Sequence, residues 1–545
     1  MLLSLAIGGG VGERAASLGV SASLVVYAGL YAALALALVL AGRIRNAGVR
    51  VTVALVLAVS GFAMSAFRHV MGDHLSYDAF VNLVNSTAFA DDAVAQHGGR
   101  MLEALVGPAL LFAGIAMPPR AGSRRLGGLA LAAPVLGVLG LAGMLFVRGG
   151  EGERGLPGPF TPLAYSALYL HDLATGAAGP RRPVTLVPRA APAGRDVVLI
   201  VDESVLATYL DINRPGGVRS GLKEPLPGVR ITNYGVAASV TNCSVGSNYD
   251  LRFGGTREAY RRINATMPSI WAYARRAGFR TVYLDGQRTG GQLQNLMTPE
   301  ERQDIDLFVQ FDRTAVRDRD MAAADRLAAL LNDGTADFVL VNKVGAHFPV
   351  HDKYPDRFMR YRPALPRGRF GQVSDTGSRS GFAGAAGDWT RYRNAYRNTL
   401  LWNVGGFFDR LLRRADLSRA TVIYTADHGQ DLHEQGRPGV NTHCSVAPIP
   451  EEGMVPLVVI EGAGPPTLDW SRHHARNLDR VSHYAVFPTL LALMGYDPNA
   501  VRPLYGHSLA DHSVDPGTFN TSFNARLGRE PTWRSIRPPS LRPTR

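Results

Sequence analysis

The sequence predicts an N-terminal α-helical transmembrane domain followed by an α/β domain with a mainly parallel central sheet. Residues 1–150 are rich in Leu, Ala, Val and Gly and hold long apolar stretches, whereas most charged residues come later. From residue 196 onward, apolar strand-like runs alternate with helical patterns. This order of elements builds a parallel sheet with helices on both faces.

Four stretches of the first part are long and apolar enough to cross a bilayer. They are residues 18–41, 51–67, 101–117 and 126–147. Three arginines lie between the first and second stretches, and three lie between the third and fourth. The positive-inside rule therefore places both of these short loops in the cytoplasm. The loop 70–100 and everything after residue 150 are then expected on the outer side, which is the periplasm for the inner membrane of a Gram-negative cell.

Two shorter features complete the predicted anchor, 1–150. Residues 1–12 are apolar but too short to cross, and they fit the remnant of a fifth span, a truncated start or a surface segment. They lack a cleavage-type signal pattern, so the helices are expected to be retained. In the loop 70–100, Phe80, Leu83 and Val84 recur at helical spacing. This indicates an amphipathic helix in the membrane interface, with a solvated connector as the alternative.

Two segments flank the α/β domain, which is predicted at 195–515. Residues 151–194 are rich in Pro, Gly and Arg around the patch FTPLAYSALYLHDLAT, which indicates a linker with an interfacial helix. Residues 516–545 are predicted to be a basic, disordered tail. The net charge of +13 comes mainly from scattered arginines and this tail. It therefore indicates attraction to anionic lipid rather than to nucleic acid.

Polar residues follow four of the predicted strands. They are Asp202 and Glu203 in VVLIVDES, Asp285 in YLDGQ, Lys343 and His347 in VNKVGAHFP, and Asp427 and His428 in YTADHGQ. Such strand ends meet at one edge of an open α/β sheet. One Asp or His at a strand end is more often structural, but four such ends at one edge indicate a site. Carboxylates with imidazole suit zinc or manganese better than calcium.

The turn ASVTNCSVGSNYDLRFGG carries several polar side chains just before a predicted helix. Backbone N–H groups at the start of a helix favour an anion. A hydroxyl there, beside a divalent metal, can serve as a nucleophile. Thr241, Asn242 or Ser244 can equally cap the helix, and the two roles are compatible.

These motifs together resemble the membrane-anchored, alkaline-phosphatase-like transferases of the bacterial envelope, above all the phosphoethanolamine transferases that modify lipid A. The matching pieces are VVLIVDES, the nucleophile turn, GAHFP, YRNTLLWNV, YTADHGQDLHEQG, THCSVAPIPEEGMVPLVV and VSHYAVFPTLLALMG. They occur in the family's order and cover most of residues 195–510. The resemblance implies an alkaline-phosphatase/sulfatase-like domain behind five spans, of which the first would be missing or shortened here.

Carried over residue by residue, the resemblance implies a metal site beside a substrate site. The implied metal ligands are Glu203, Asp427, His428 and the nucleophile, here Ser244. His347 and His443 match histidines that hold the substrate phosphate or a second metal in the family, and Asn398 matches an asparagine near the substrate. Lys343, which follows a predicted strand, is predicted to bind substrate as well. His483 matches a family position to which no role is assigned. The implied cofactor is Zn²⁺, with Mn²⁺ as the alternative.

The nucleophile turn departs from the family's usual Cys-Gly-Thr-x-Thr. Ser247 and Leu251 occur at a spacing shared with lipoteichoic-acid synthases and sulfatases, and this alignment points to Ser244 as nucleophile. Thr241 is the second candidate and Cys243 the third. The C/S-x-P-S-R turn of sulfatases is also absent, since SVGSN has Gly and Asn in place of Pro and Arg. This argues against sulfate-ester hydrolysis.

The chain has two cysteines, Cys243 and Cys444, so the family's several disulfides are lost. Two cysteines exclude a CxxC-type zinc framework but allow one bridge. Each neighbours a proposed site residue, Ser244 or His443, so a single bridge across the site is a hypothesis.

The predicted function is metal-dependent transfer of a phospho-headgroup, phosphoethanolamine first, from a membrane phospholipid through a covalent enzyme intermediate to lipid A or another envelope glycan. The predicted partners are therefore a phospholipid donor, a lipid or glycan acceptor and the membrane. A phosphoglycerol transferase and a sulfatase- or phosphodiesterase-type hydrolase are the alternatives, and a sensor that retains an inactive site is a non-enzymatic one.

Overall fold

The computed structural model divides into two compact units, one built mainly from residues 1–177 and one from residue 178 onward. The described residues are 10–71, 74–85, 90–117, 126–148, 150, 152–175, 180–189, 195–224, 226–348, 350–366, 386–436, 442–445, 447–521, 523 and 531–537.

The described part of the first unit is helical. Its helices are α1 (Val11–Leu18), α2 (Ala22–Ala41), α3 (Ala47–Met71), α4 (Tyr77–Asn85), α5 (Ala90–Glu103), α6 (Val106–Ala116), α7 (Leu126–Val147) and α8 (Thr161–Thr175). The regions long and apolar enough to cross a membrane are Ala22–Ala41, Ala47–Met71, Gly98–Ala116 and Gly128–Val147. They match the four predicted spans. Of the apolar start, residues 1–9 lie outside the described residues.

Polar contacts hold the helix ends of this unit together. The buried guanidinium of Arg50, at the start of α3, donates to the backbone oxygens of Ile44 and Ala116 at 2.8 and 3.2 Å. Ala116 is the last residue of α6, whose final carbonyls have no partner within the helix, and Ile44 lies three residues after α2. Further along the chain, Tyr77 of α4 donates to Asp172 of α8 at 2.6 Å.

The second unit is organised around a seven-stranded sheet in the order β2-β7-β6-β1-β5-β3-β4. The strands are β1 (Asp196–Asp202), β2 (Val229–Ala238), β3 (Arg280–Asp285), β4 (Leu307–Gln310), β5 (Asp337–Asn342), β6 (Ala420–Ala426) and β7 (Met454–Gly462). All neighbouring pairs are parallel except those that β7 makes with β2 and β6. Every residue of β1 is buried, as its continuous apolar run predicts for a central strand.

Helices follow most strands, as the predicted alternation requires. They are α9 (Ser244–Phe253), α10 (Tyr260–Thr266), α11 (Ile270–Arg276), α12 (Pro299–Gln303), α13 (Arg319–Leu331), α14 (Ala386–Leu400), α15 (Phe407–Leu412), α16 (Ser471–Asn477), α17 (Val486–Leu493) and α18 (Pro498–Tyr505). One π-helical turn, Leu401–Gly406, joins α14 to α15. The fold class predicted from the sequence is confirmed.

The tail differs from the prediction of disorder after residue 515. Two short antiparallel strands, β8 (Thr518–Asn520) and β9 (Trp533–Ser535), form there. The reason is apolar burial, because Phe519 and Ile536 pack against Ala238 at the end of β2. Because the segment is rich in Arg, Pro and Ser, its composition does not reveal that Phe519 and Ile536 are buried.

Candidate active site

The carboxyl ends of the central strands meet at one edge of the sheet. β1 lies between β5 and β6, and Asp202 pairs in register with Ala426. The residues that follow these two strand ends are therefore neighbours. Glu203, Asp427 and His428 bring their ligand atoms within 4.8 Å of one another, and all three side chains are buried.

Ser244 joins this cluster from the start of α9. Cys243 before it has an extended backbone, and the helix begins at the serine. Ser244 Oγ lies 3.1 Å from Oε1 of Glu203 and 3.1 Å from Nε2 of His428. The hydroxyl that the sequence favours as nucleophile thus lies at the carboxylate and imidazole ligands.

The separations of the four side chains fit a divalent metal. His428 Nε2 is 3.4 Å from Glu203 Oε1 and 3.7 Å from Asp427 Oδ2. A tetrahedral ion with metal–ligand distances of about 2.1 Å needs ligand atoms about 3.4 Å apart. Two carboxylates, an imidazole and a hydroxyl at these separations are a donor set suited to zinc.

Local contacts fix the orientation of His428 and Asp427. His428 Nδ1 lies 2.6 Å from the carbonyl oxygen of Gly429, so Nδ1 carries the proton and Nε2 faces the cluster. Oδ1 of Asp427 accepts from the backbone N–H of Ser204 at 3.0 Å and of His428 at 2.8 Å. Its other oxygen, Oδ2, faces the cluster, 3.7 Å from His428 Nε2, and accepts from Asn248 Nδ2 at 3.5 Å.

Gln287, which the sequence analysis missed, orients Glu203. Its Nε2 donates to Glu203 Oε2 at 3.0 Å and to the carbonyl oxygen of Lys343 at 2.9 Å. The backbone N–H of Gln287 donates in turn to Asp285 at 3.0 Å. Gln287 stands two residues after Asp285 in the motif YLDGQ, but its contact with Glu203 cannot be read from that spacing. Asp285 itself is buried among amide donors, which include Gln294, and it supports the loop.

The electrostatics of the cluster are those of crowded, buried acids beside an imidazole. Burial raises the pKa of Asp427 to about 7, and the negative charge of Glu203 adds to this rise. Burial opposes protonation of His428, but the charges of Asp427 and Glu203 outweigh it and raise its pKa to about 9. Burial alone would raise the pKa of Glu203. Its hydrogen bond with His428 and the charges of the nearby histidines outweigh burial and hold that pKa well below its usual range. A bound cation would satisfy this negative charge.

His443 and His347 lie beside the cluster. The ring of His443 stacks on that of His428 with centroids 4.4 Å apart. Burial and the positive charge of His428 lower the pKa of His443 to about 3, so its imidazole is neutral. His347 is half-buried, and its charge acts on both Glu203 and His443.

Lys343 lies beneath the cluster rather than at its surface. Its ammonium is fully buried and contacts Asp202 Oδ2 and the carbonyl oxygen of Asn403, both at 2.6 Å. It also lies 4.4 Å from the centre of the Phe407 ring. The expected substrate-binding lysine is therefore placed as an internal partner of Asp202.

Asn398 and Thr241 are also engaged with the protein itself. Asn398 is buried, and its side-chain oxygen accepts from the backbone N–H of Arg360 and Tyr361 at 2.8 Å each. The hydroxyl of Thr241 is 3.4 Å from the side-chain oxygen of Asn242. Of the three candidate nucleophiles, Ser244 lies at the cluster of Glu203 and His428, Thr241 stays in the turn, and Cys243 is bonded to Cys444 in a disulfide.

The loop 442–445, which carries His443, is tied to the nucleophile turn. A disulfide joins Cys243 to Cys444, which is the bridge hypothesised from the sequence. Asn242 Nδ2 donates to Glu452 at 2.8 Å, and the same carboxylate accepts from the backbone N–H of Ser445 at 3.2 Å. Glu452 was visible in the motif APIPEEG, but its contact with the turn could not be read from spacing.

A parallel sheet with carboxylates, an imidazole and a serine hydroxyl at its carboxyl edge is the arrangement of an α/β enzyme with a metal site. The model of the sulfatase family matches residues 195–496, which is more than half of the chain. The chain therefore belongs to the sulfatase family. No curated protein matches it in sequence.

Two solved structures extend this likeness. The integral membrane protein lipooligosaccharide phosphoethanolamine transferase A (EptA) from Neisseria meningitidis is 19% identical, with a TM-score of 0.58 over 84% of this chain and 87% of that one. The C-terminal periplasmic domain of EcEptC from Escherichia coli, in complex with Zn, is 14% identical, with a TM-score of 0.50 over 67% of this chain and 98% of that one. At these identities the likeness concerns the fold. It agrees with the resemblance stated from the sequence, and with EptA it extends beyond the α/β domain.

Proposed function

We propose that this protein is a phosphoethanolamine transferase of the bacterial inner membrane, with its catalytic domain in the periplasm. The observation that carries the proposal is the position of Ser244 Oγ, 3.1 Å from both Glu203 and His428. The fold shared with EptA, named as a phosphoethanolamine transferase, supports the choice of headgroup.

In the first half-reaction, Ser244 Oγ attacks the phosphorus of phosphatidylethanolamine. An Oγ–P bond forms, the P–O bond to diacylglycerol breaks, and diacylglycerol leaves with a proton on its oxygen. Phosphoethanolamine remains esterified to the serine. A zinc ion held by Glu203, Asp427, His428 and Ser244 would lower the pKa of the attacking hydroxyl and offset charge on the phosphoryl oxygens.

The remaining groups act on the phosphoryl oxygens. Neutral His443 offers a ring N–H as hydrogen-bond donor, and His347 supplies a second imidazole. The backbone N–H groups in the first turn of α9, which begins at Ser244, favour the same negative charge. Stabilisation of this kind provides most of the catalysis in phosphoryl transfer.

In the second half-reaction, an oxygen of the acceptor attacks the same phosphorus, and Ser244 Oγ leaves with a proton. The proposed acceptor is lipid A or another envelope glycan. Membrane anchoring supports this choice because donor and acceptor are then both lipids or lipid-linked.

Intact-mass analysis of the detergent-purified protein tests the proposal. The protein is incubated with phosphatidylethanolamine or with phosphatidylglycerol, and bound zinc is measured in the same sample. A phosphoethanolamine-sized adduct is expected in the wild type and in Thr241→Ala but not in Ser244→Ala. A phosphoglycerol-sized adduct would instead favour transfer of that headgroup. If the zinc-loaded protein formed neither adduct, direct hydrolysis would become the better function.

A further inference from the structure

His483 lies fully inside the second unit, between the two loops that carry the proposed site. It begins the short 3₁₀ turn His483–Ala485 that precedes α17, and it is 1% exposed. Its Nδ1 lies 3.4 Å from the backbone nitrogen of Val240, and its Nε2 lies 3.0 Å from Oγ1 of Thr425. Val240 is four residues before Ser244, and Thr425 is two residues before Asp427.

The hydrogen-bonding directions define a single state of this imidazole. A backbone N–H can only donate, so Nδ1 of His483 is the acceptor from Val240. The ring proton is then on Nε2 and is donated to Thr425, whose own hydroxyl proton points to the carbonyl oxygen of Ala426 at 3.3 Å. Neutral imidazole therefore satisfies both loops at once.

Backbone contacts strengthen the same link on the side of the nucleophile turn. The N–H of Ala238, at the end of β2, donates to the carbonyl oxygen of Val481 at 3.0 Å, and Ala238 forms a parallel bridge with Ser482. The segment 481–483 thus runs along the exit of β2. From there the His483 side chain reaches β6, two strands away in the sheet.

We propose that His483 is a positioning residue that sets the distance between Ser244 and the ligands Asp427 and His428. Only this side chain, among the described residues, is seen to hydrogen-bond both Val240 and Thr425. Loss of the link would remove one of the contacts that hold the two loops together, beside the one through Glu452, and would weaken the four-ligand site. Outer contacts of this kind change metal affinity or activity by about 10- to 100-fold.

Zinc affinity, measured by competition with a chromophoric chelator on the full chain in detergent, tests the inference. His483→Ala is expected to lower zinc affinity and the rate of adduct formation by about 10- to 100-fold, with the lipid concentration dependence unchanged. His483→Asn keeps an acceptor for Val240 and should recover part of the loss. Thr425→Val removes the other half of the link and should show a partial loss of its own.

Thr489→Val is the matched control. The Thr489 hydroxyl donates to Ala485, the last residue of the turn that His483 begins, at 2.6 Å and accepts from the N–H of Leu509 at 2.8 Å. The substitution therefore removes buried hydrogen bonds next to His483 without touching either loop. It should lower the unfolding temperature and leave zinc affinity unchanged. Wild-type zinc affinity in His483→Ala, or losses in all variants that follow their unfolding temperatures, would overturn the inference.

Two further outcomes are separable. If His483→Ala does not fold, His483→Asn and Thr425→Val decide the question through the same zinc titration. The inference rests on the proposed function for its effect on rate. Absence of an adduct in the wild type would contradict that function, while the zinc titration would still decide the role of His483.

Discussion

Cys243 and Cys444 form a disulfide that joins the residue before Ser244 to the residue after His443. The two cysteines are 201 residues apart in sequence. The N–H of Cys444 also donates to the carbonyl oxygen of Asn242 at 2.9 Å. Ser244 and His443 are therefore held by one covalent link and by backbone pairing beside it.

Removal of this bridge is expected to destabilise the protein and slow adduct formation. Closing a long loop stabilises a fold by about 2–5 kcal/mol, because the link restricts the unfolded chain. The double variant Cys243→Ala/Cys444→Ala should therefore unfold at a lower temperature than the wild type. A phosphine reductant should lower the unfolding temperature of the wild type and leave the double variant unchanged. Two free thiols in a non-reducing peptide map would contradict the prediction.

Gln287 is expected to control metal affinity through Glu203. Gln287→Met removes the hydrogen bond to Oε2 and should weaken zinc binding by about 10- to 100-fold. Gln310→Met is the matched control, because Gln310 donates to Asp285 and has no bond to Glu203. Competition titrations of both variants check this. An equal loss in the two would mean that the whole loop, and not the bond to Glu203, matters.

The fold and the cluster of Glu203, Asp427 and His428 could be predicted because their signals are local in sequence. A central strand is recognisable in the sequence as an apolar run. Asp427 and His428 directly follow the apolar run that forms β6. The contacts that orient these ligands could not be predicted, because Gln287, Glu452 and His483 reach the site from elements far away in the chain. Lys343 was misleading for the same reason: its position after β5 was visible, but the direction of its side chain, toward Asp202, depends on how β1 and β5 pair.

Lys343→Met is expected to destabilise the second unit strongly. It would leave Asp202 buried without its cation, and breaking a buried ion pair in this way costs about 3–5 kcal/mol. Adding Asp202→Asn should recover part of the loss, since the buried charge is then gone. Thermal unfolding of both variants measures this. If Lys343→Met had normal stability but needed a higher lipid concentration to form the adduct, the substrate-binding role of Lys343 would be restored.

Asp250 is expected to make stability fall as pH rises. It is buried in α9, where Asn264 donates to Oδ1 at 3.1 Å, and burial raises its pKa to about 7. The folded state therefore holds a proton that the unfolded chain, with a pKa of about 3.9, has already lost. Between about pH 4 and 7 this group lowers the free energy of unfolding by up to about 1.4 kcal/mol per pH unit, and above pH 7 its effect is constant.

Asp250→Asn keeps the shape of the side chain without the charge. The variant should thus gain stability over the wild type from pH 5 to pH 7 in denaturant unfolding, and a constant difference across that range would show that Asp250 stays ionised.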